Sequence, residues 1–254
     1  MSGRVVIVGL GPGPAEWMTQ EASAAVASAS DVVGYRPYLE RLVLRPDQRA
    51  HSSDNRVEME RARLALRLAT EGRAVAVVSG GDPGVFAMAA AICEQIATGP
   101  DAWRALEVVF VPGITAMLAV AARIGAPLGH DFCALSLSDN LKPWPVIERR
   151  LDAAAQAGFA IALYNPVSRA RPWQLTSAVD RLRRHLPATT PVIFGRAVGR
   201  PDERVDVTTL ETAADQSADM ATLVIVGTRE TRIIARPGYS PLVYTPRVAA
   251  EVSA

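Results

Sequence analysis

Two cysteines and a single lysine in 254 residues close off several chemistries at once. Cys93 and Cys133 stand far apart in sequence, with no CxxC spacing and no neighbouring histidine. Neither a disulfide framework nor a zinc site is suggested, and no metal or iron–sulfur centre is expected. Two buried free thiols are the plain expectation. Lys142 is the only lysine, so the basic charge is carried almost wholly by arginine, and the formal net charge is just +1. Such a balance gives no global field to draw nucleic acid, and no nucleic-acid partner is expected. No apolar run approaches the ~20 residues of a membrane span, and the N-terminus lacks a basic stretch followed by an apolar one. The expectation is a soluble, cytoplasmic protein without a membrane partner.

With 49% hydrophobic side chains, the chain can bury one large core or two modest ones. β-Branched runs at Val5–Val8, Asp31–Val33, Ala74–Val78 and Glu107–Val111 read as strands, and helical patterns fill the gaps. One helix follows Thr19 as a cap. Another has Asn55 as its N-cap and Gly72 as its stop, with Glu58 and Glu60 beside Arg61 to Arg63 on a solvated face. Pro112 and Gly113 then break the pattern. Two α/β domains are therefore expected, 1–112 and 113–254, with mostly parallel or mixed sheets. Beyond a small-residue helix at Thr115–Ile124, strands are read at Phe132–Leu137, Phe159–Leu163, Pro191–Phe194, Arg204–Val207 and Thr222–Val226. Helices are read at Trp144–Ala157 and Pro172–His185, the latter with proline in its first turn. A proline-rich tail is expected from about 236.

The first strand runs into Gly9-Leu10-Gly11-Pro12-Gly13-Pro14. A dinucleotide loop wants glycine at the sixth position and free N–H groups for a pyrophosphate, and Pro12 and Pro14 supply neither. A Walker loop is excluded because no GK[ST] follows. Three more strands end in glycine or polar breaks: "SGGDPGVF", "VPGITAM" and "LYNPVSRARPW". Strand ends of this kind line the ligand crevice of an open α/β sheet. Four in one chain read as walls of one cleft.

In this order and spacing, "VGLGPG", "GGDPGVF", "PGITA", "LYNP" and "ATLVIVG" resemble the tetrapyrrole methylases, the class III methyltransferases that use S-adenosylmethionine. The resemblance covers essentially the whole chain. "VVGYRPYLERL" and "LSLSDNLKPWPVIERRL" are most similar to the branch that methylates precorrin-3B at C17 and contracts its ring during cobalamin synthesis. The resemblance implies a two-domain α/β fold with a cofactor cleft between the domains, a homodimer, and S-adenosylmethionine as methyl donor beside the tetrapyrrole. Carried over by position, the cofactor site takes Pro12, Gly80, Gly81, Asp82, Val85, Phe86, Thr115, Ala116 and Asn165, with Ala197 and Thr222 at its margin. Asn165 departs from the family, where methionine is frequent at that position. The first loop, with Gly11 and Gly13, borders the macrocycle.

Methyl transfer from a sulfonium needs alignment and desolvation and no enzyme nucleophile. Ring contraction requires a proton to leave a tertiary alcohol, so an acid or base is plausible. The candidates are His51, for which a solvated loop is the competing and stronger reading, and Asp139, which could instead cap the helix near Trp144. Asn140 and Tyr35 could face the macrocycle, and aromatic core filling competes for Tyr35 and Tyr38. Arg36, Arg169 and Arg171 are the choices for substrate carboxylates. Against this enzyme stand a methylase for another corrinoid position or for RNA or protein, a nicotinamide oxidoreductase, and a tetrapyrrole carrier without catalysis.

Overall fold

The computed structural model describes residues 3–54, 57–168 and 170–248. The chain divides into two compact units, Met1–Thr115 and Ala116–Ala254. Among the described residues no helix is long and apolar enough to cross a membrane.

The first unit holds strands β1 (Arg4–Gly9), β2 (Asp31–Tyr35), β3 (Arg49–Ser53), β4 (Ala74–Ser79) and β5 (Glu107–Val111). They form one parallel sheet in the order β3-β2-β4-β1-β5. Helices α1 (Gln20–Ser28), α2 (Arg36–Leu39), α3 (Glu58–Thr70), α4 (Met88–Thr98) and α5 (Asp101–Arg104) connect them. Buried side chains on one face include Ile7, Leu66 and Ile92, and on the other Val8, Leu10 and Val32. A sheet covered on both faces explains the near-continuous apolar reading of β1 and β4. Each such side chain contributes about 1.5–3 kcal/mol through burial. Thr19 caps α1 as expected, its hydroxyl accepting from the Ala22 N–H at 3.0 Å.

Several local expectations are corrected here. The segment around His51 is no loop: it forms β3, a half-exposed polar strand paired in parallel with β2. Helix α3 starts at Glu58 after Val57, and Asn55 lies outside the described residues. Glu58 and Glu60 are exposed, but Arg61 is buried. Its guanidinium donates to the Ser53 hydroxyl at 2.8 Å and the Asp54 carbonyl at 2.9 Å. Cys93 is exposed on α4, and Cys133 half-buried.

The second unit begins with α6 (Ala116–Ile124) and the short β6 (Gly125–Ala126). Its main sheet contains β7 (Phe132–Ser136), β8 (Ala160–Tyr164), β9 (Pro191–Arg196), β10 (Arg204–Thr209) and β11 (Thr222–Val226). The order is β10-β9-β11-β8-β7, mixed, with β7 and β8 parallel and β11 antiparallel to both neighbours. Helices α7 (Trp144–Gln156) and α8 (Gln174–Leu182) cover one face through Leu151, Leu175 and Leu182. Pro172 falls before the N-cap Trp173 of α8 and outside its first turn. Pro143, not Asp139, precedes α7, without a side-chain cap.

Part of the stretch expected as an irregular tail, Tyr239–Tyr244, is strand. β12 (Arg232–Arg236) and β13 (Tyr239–Tyr244) form a hairpin whose inner strand pairs in parallel with β6. The reason is a buried hydroxyl chain. Thr245 Oγ1 donates to the Pro127 carbonyl at 2.7 Å and lies 2.8 Å from Thr231 Oγ1. Those bonds fasten the hairpin to the turn after β6.

Candidate functional site

In a parallel sheet every strand delivers its following loop to the same edge, so the glycine breaks of the first unit meet. The Gly11 N–H donates to the Gly81 carbonyl at 3.1 Å, and the Gly81 N–H returns a bond to Gly11 at 2.9 Å. The first and second loops are thereby paired backbone to backbone. The third joins them at Gly113, where an added Cβ would lie 2.3 Å from the Gly81 carbonyl oxygen and 2.8 Å from that of Gly9. Only glycine permits that approach. Asp82 completes the fastening: Oδ1 accepts from the Gly84 N–H at 2.8 Å and Oδ2 from the Gly113 N–H at 3.1 Å. The carboxylate read from sequence as a ligand acceptor thus binds two loops of its own chain.

Tyr38 lies against Gly80, its ring where a Cβ would otherwise sit, and stacks edge-on with Tyr35 at 5.4 Å. Arg36 is exposed and makes a 3.4 Å pair with Asp54. Phe86, 52% exposed, holds a left-handed backbone at φ 54° beside the half-buried Val85. Thr115 is buried.

Sequence reasoning missed Arg41, which follows α2. Its Nη2 donates to the carbonyls of Leu10, Gly11 and Gly13 at 3.1, 3.1 and 2.9 Å. Pro12 lies between two of these anchored residues. A signal was present, since Arg41 belongs to the quoted segment "VVGYRPYLERL", but nothing local distinguishes it from the exposed Arg36.

His51 does not join this edge. Its Nε2 lies 2.7 Å from Oδ1 of Asp31, the fully buried residue that begins β2, while Arg73 approaches Oδ2 at 2.9 Å. Burial pushes the Asp31 carboxyl up; hydrogen bonds from His51 and Ser30 and the Arg73 charge outweigh it, and the net pKa lies below the ordinary range. The imidazole is therefore engaged toward the opposite end of the sheet.

In the second unit, the ends of β7, β8 and β9 and the start of β11 share one edge. Asn165, Ala197 and Thr222 lie there together. Asn165 has φ 52° and donates from Nδ2 to the Ser136 hydroxyl at 3.0 Å. Ala197 has φ 49° and bonds Ala221 through its N–H at 2.9 Å. Thr222 is buried and donates its hydroxyl to Asp219 at 2.8 Å. The Tyr164 hydroxyl accepts from the Met117 N–H at 3.2 Å, which brings Ala116 and the start of α6 to the same edge. Among the described residues the left-handed non-glycine positions are Phe86, Asn165 and Ala197, and each belongs to the cofactor set carried over from the sequence. Such strain persists where surrounding structure imposes it, and it clusters at ligand sites.

After β7, Asp139 Oδ1 accepts from Arg171 Nη1 at 2.6 Å and from Gln174 at 2.9 Å. Nη1 also meets the Asn140 side-chain oxygen. Arg171 Nε is buried and meets no partner among the described residues. Arg169 lies outside the described residues. No group of three or more His, Cys, Asp and Glu side chains among the described residues is placed to hold a metal ion.

The family model of the tetrapyrrole (corrin/porphyrin) methylases matches residues 4–214. The precorrin-3B C(17)-methyltransferase of a Sinorhizobium species is 63% identical over 253 residues, covering 100% of both chains. The cobalamin biosynthesis protein CobIJ of Mycobacterium tuberculosis is 47% identical over 251 residues, which span 97% of this chain and 48% of that protein. Among solved structures, that of the methyltransferase CobJ aligns with a TM-score of 0.91 at 49% identity, covering 96% of this chain and 100% of the other. Uroporphyrin-III C-methyl transferase from Thermus thermophilus, complexed with S-adenyl homocysteine, aligns at 0.69 and 24% identity over 89% of this chain and 97% of that one. That second likeness is one of fold.

Proposed function

The chain belongs to the tetrapyrrole (corrin/porphyrin) methylases, and from that membership we propose that it transfers a methyl group from S-adenosylmethionine to C17 of precorrin-3B, contracting the ring to give precorrin-4. The observation that carries the substrate is the 63% identity with the Sinorhizobium enzyme over the full length of both chains. A cytoplasmic homodimer belongs to the same reading. The exposed Ile233, Ile234 and Tyr239 of the β12–β13 hairpin are apolar surface that favours assembly.

The donor fits the residues present. S-adenosylmethionine has no pyrophosphate, and the first loop has no N–H at Pro12 or Pro14 to offer one. The three left-handed residues also lie within the set that would hold it. Carried over by position, that set is Pro12, Gly80, Gly81, Val85, Phe86, Thr115, Ala116, Asn165, Ala197 and Thr222. Bound there, the donor supplies a methyl group activated by its sulfonium. The chain contributes orientation and exclusion of water, with the second and third glycine loops fastened to each other by Asp82. Tyr35, Gly11 and Gly13 would border the macrocycle, with Arg36 and Arg171 near its carboxylates. Of the two acid–base candidates, geometry favours Asp139. Asp139 follows β7 on the edge that also carries Asn165, whereas His51 turns to Asp31 toward the opposite end of its sheet.

The test is anaerobic incubation with precorrin-3B and methyl-labelled S-adenosylmethionine, followed by mass spectrometry and NMR of the pigment. A labelled methyl at C17 of a contracted ring supports the reading. A protein that binds S-adenosylhomocysteine yet leaves precorrin-3B unlabelled loses the substrate and keeps the family.

A further inference from the structure

The first glycine loop consumes nearly all of its own backbone. Leu10 N–H donates to the Ser79 carbonyl at 2.9 Å, and Gly11 N–H to Gly81 at 3.1 Å. Pro12 and Pro14 have no N–H. The carbonyls of Leu10, Gly11 and Gly13 all turn toward the single nitrogen Nη2 of Arg41. Pro14 accepts from the Trp17 N–H at 3.1 Å. Within Leu10–Pro14 the Gly13 N–H is the one backbone donor that meets no acceptor among the described residues, and Gly13 is only partly buried.

We propose that Arg41 is a positioning residue for the substrate: by gathering three loop carbonyls onto one guanidinium nitrogen it turns the Gly13 N–H outward to receive an anionic oxygen, a peripheral carboxylate of the macrocycle. The proposal rests on the reading of the substrate as a polycarboxylate tetrapyrrole. Its physical basis is twofold. A guanidinium can hold several carbonyls at once in a fixed plane, and its charge beside the loop favours an anion at the N–H it exposes. The two Gly11–Gly81 backbone bonds do not use the guanidinium, so loss of Arg41 should loosen the Gly13 half of the loop more than the paired half.

The experiment compares wild type with Arg41→Met and Arg41→Lys. It measures S-adenosylhomocysteine affinity by calorimetry, uroporphyrin and coproporphyrin binding by fluorescence quenching, and KM and kcat with precorrin-3B. Uroporphyrin carries acetate and propionate carboxylates, whereas coproporphyrin keeps only propionates, so the pair identifies which arm is held. Arg41→Met should weaken uroporphyrin binding and raise KM about tenfold or more, the scale of one charge-assisted hydrogen bond, with a smaller fall in S-adenosylhomocysteine affinity, since only Pro12 of the cofactor set lies in the loosened loop. Arg41→Lys, able to satisfy some of the carbonyls, should fall between. Unchanged porphyrin binding and KM in Arg41→Met overturn the proposal. So does a parallel loss of S-adenosylhomocysteine affinity, which would mark general loosening. Wild type that binds S-adenosylhomocysteine but neither binds porphyrin nor methylates precorrin-3B removes the macrocycle reading and this proposal together.

Discussion

Replacing Asp82 with asparagine separates two roles that sequence alone merges. A carboxylate directly after a glycine pair looks like a ligand acceptor, yet both oxygens here accept backbone N–H groups, from Gly84 at 2.8 Å and Gly113 at 3.1 Å. Asparagine keeps one acceptor and turns an NH2 group toward the other donor, so one bond is lost and two donors face each other. Hydrogen bonds to a charged group are worth about 1.5–3 kcal/mol, and Asp82 is half-buried, so a loss of about 2 kcal/mol is expected. At roughly 2–4 °C per kcal/mol for a protein of this size, the unfolding midpoint should fall by about 4–8 °C. The assay is thermal and urea unfolding of D82N beside calorimetric titration with S-adenosylhomocysteine. Lower stability with weakened binding that recovers partly on cooling supports the fastening role. Wild-type stability with binding abolished would refute the reasoning, because the carboxylate would then be spending its charge on the ligand.

Gly113→Ala places a Cβ 2.3 Å from a backbone oxygen that cannot swing aside, so it should cost about 1–3 kcal/mol and weaken S-adenosylhomocysteine. Unaltered affinity and stability would contradict the close approach of the loops. At Asn165, φ 52° predicts that N165A is less stable than N165G by about 1 kcal/mol in urea titrations, and the reverse order would argue against the left-handed backbone. The Asp152 carboxyl is held at about 2, below its ordinary 3.8, chiefly by the Arg181 hydrogen bond, with burial opposing and His185 assisting. A depressed carboxyl contributes stability that is whole above pH 3.8 and disappears as pH falls toward 2. D152N should flatten that part of the acid-unfolding curve, and a slope identical to wild type would count against the pairing.

How far the sequence reaches is clearest where two kinds of residue adjoin. Strands β1 and β4 are legible because both faces of a parallel sheet are buried, which forces the runs "VVIV" and "AVAVV". Strand β3, "RAHSS", is not: it lies at the sheet's edge, where no apolar pattern is required, and only its pairing with β2 makes it a strand. His51 was misplaced for that reason. Burial of Arg61 was hidden similarly, since a helical arginine reads as solvated until Ser53 and Asp54 are brought over it.

The same division runs through the site and explains its limits. Glycine announces the loops because close approach is a property of the residue itself, as at Gly113. Asn165 half-announces itself, since asparagine tolerates a left-handed backbone better than most residues. Phe86 and Ala197 carry no such mark: their φ values of 54° and 49° are imposed by what surrounds them, and residue type gives no warning. Only the family resemblance points to them, and their backbone strain is a separate observation. Arg41 shows the converse case. Its action depends on three carbonyls some thirty residues away in sequence, a convergence that only the folded backbone creates, so motif and spacing could not identify it.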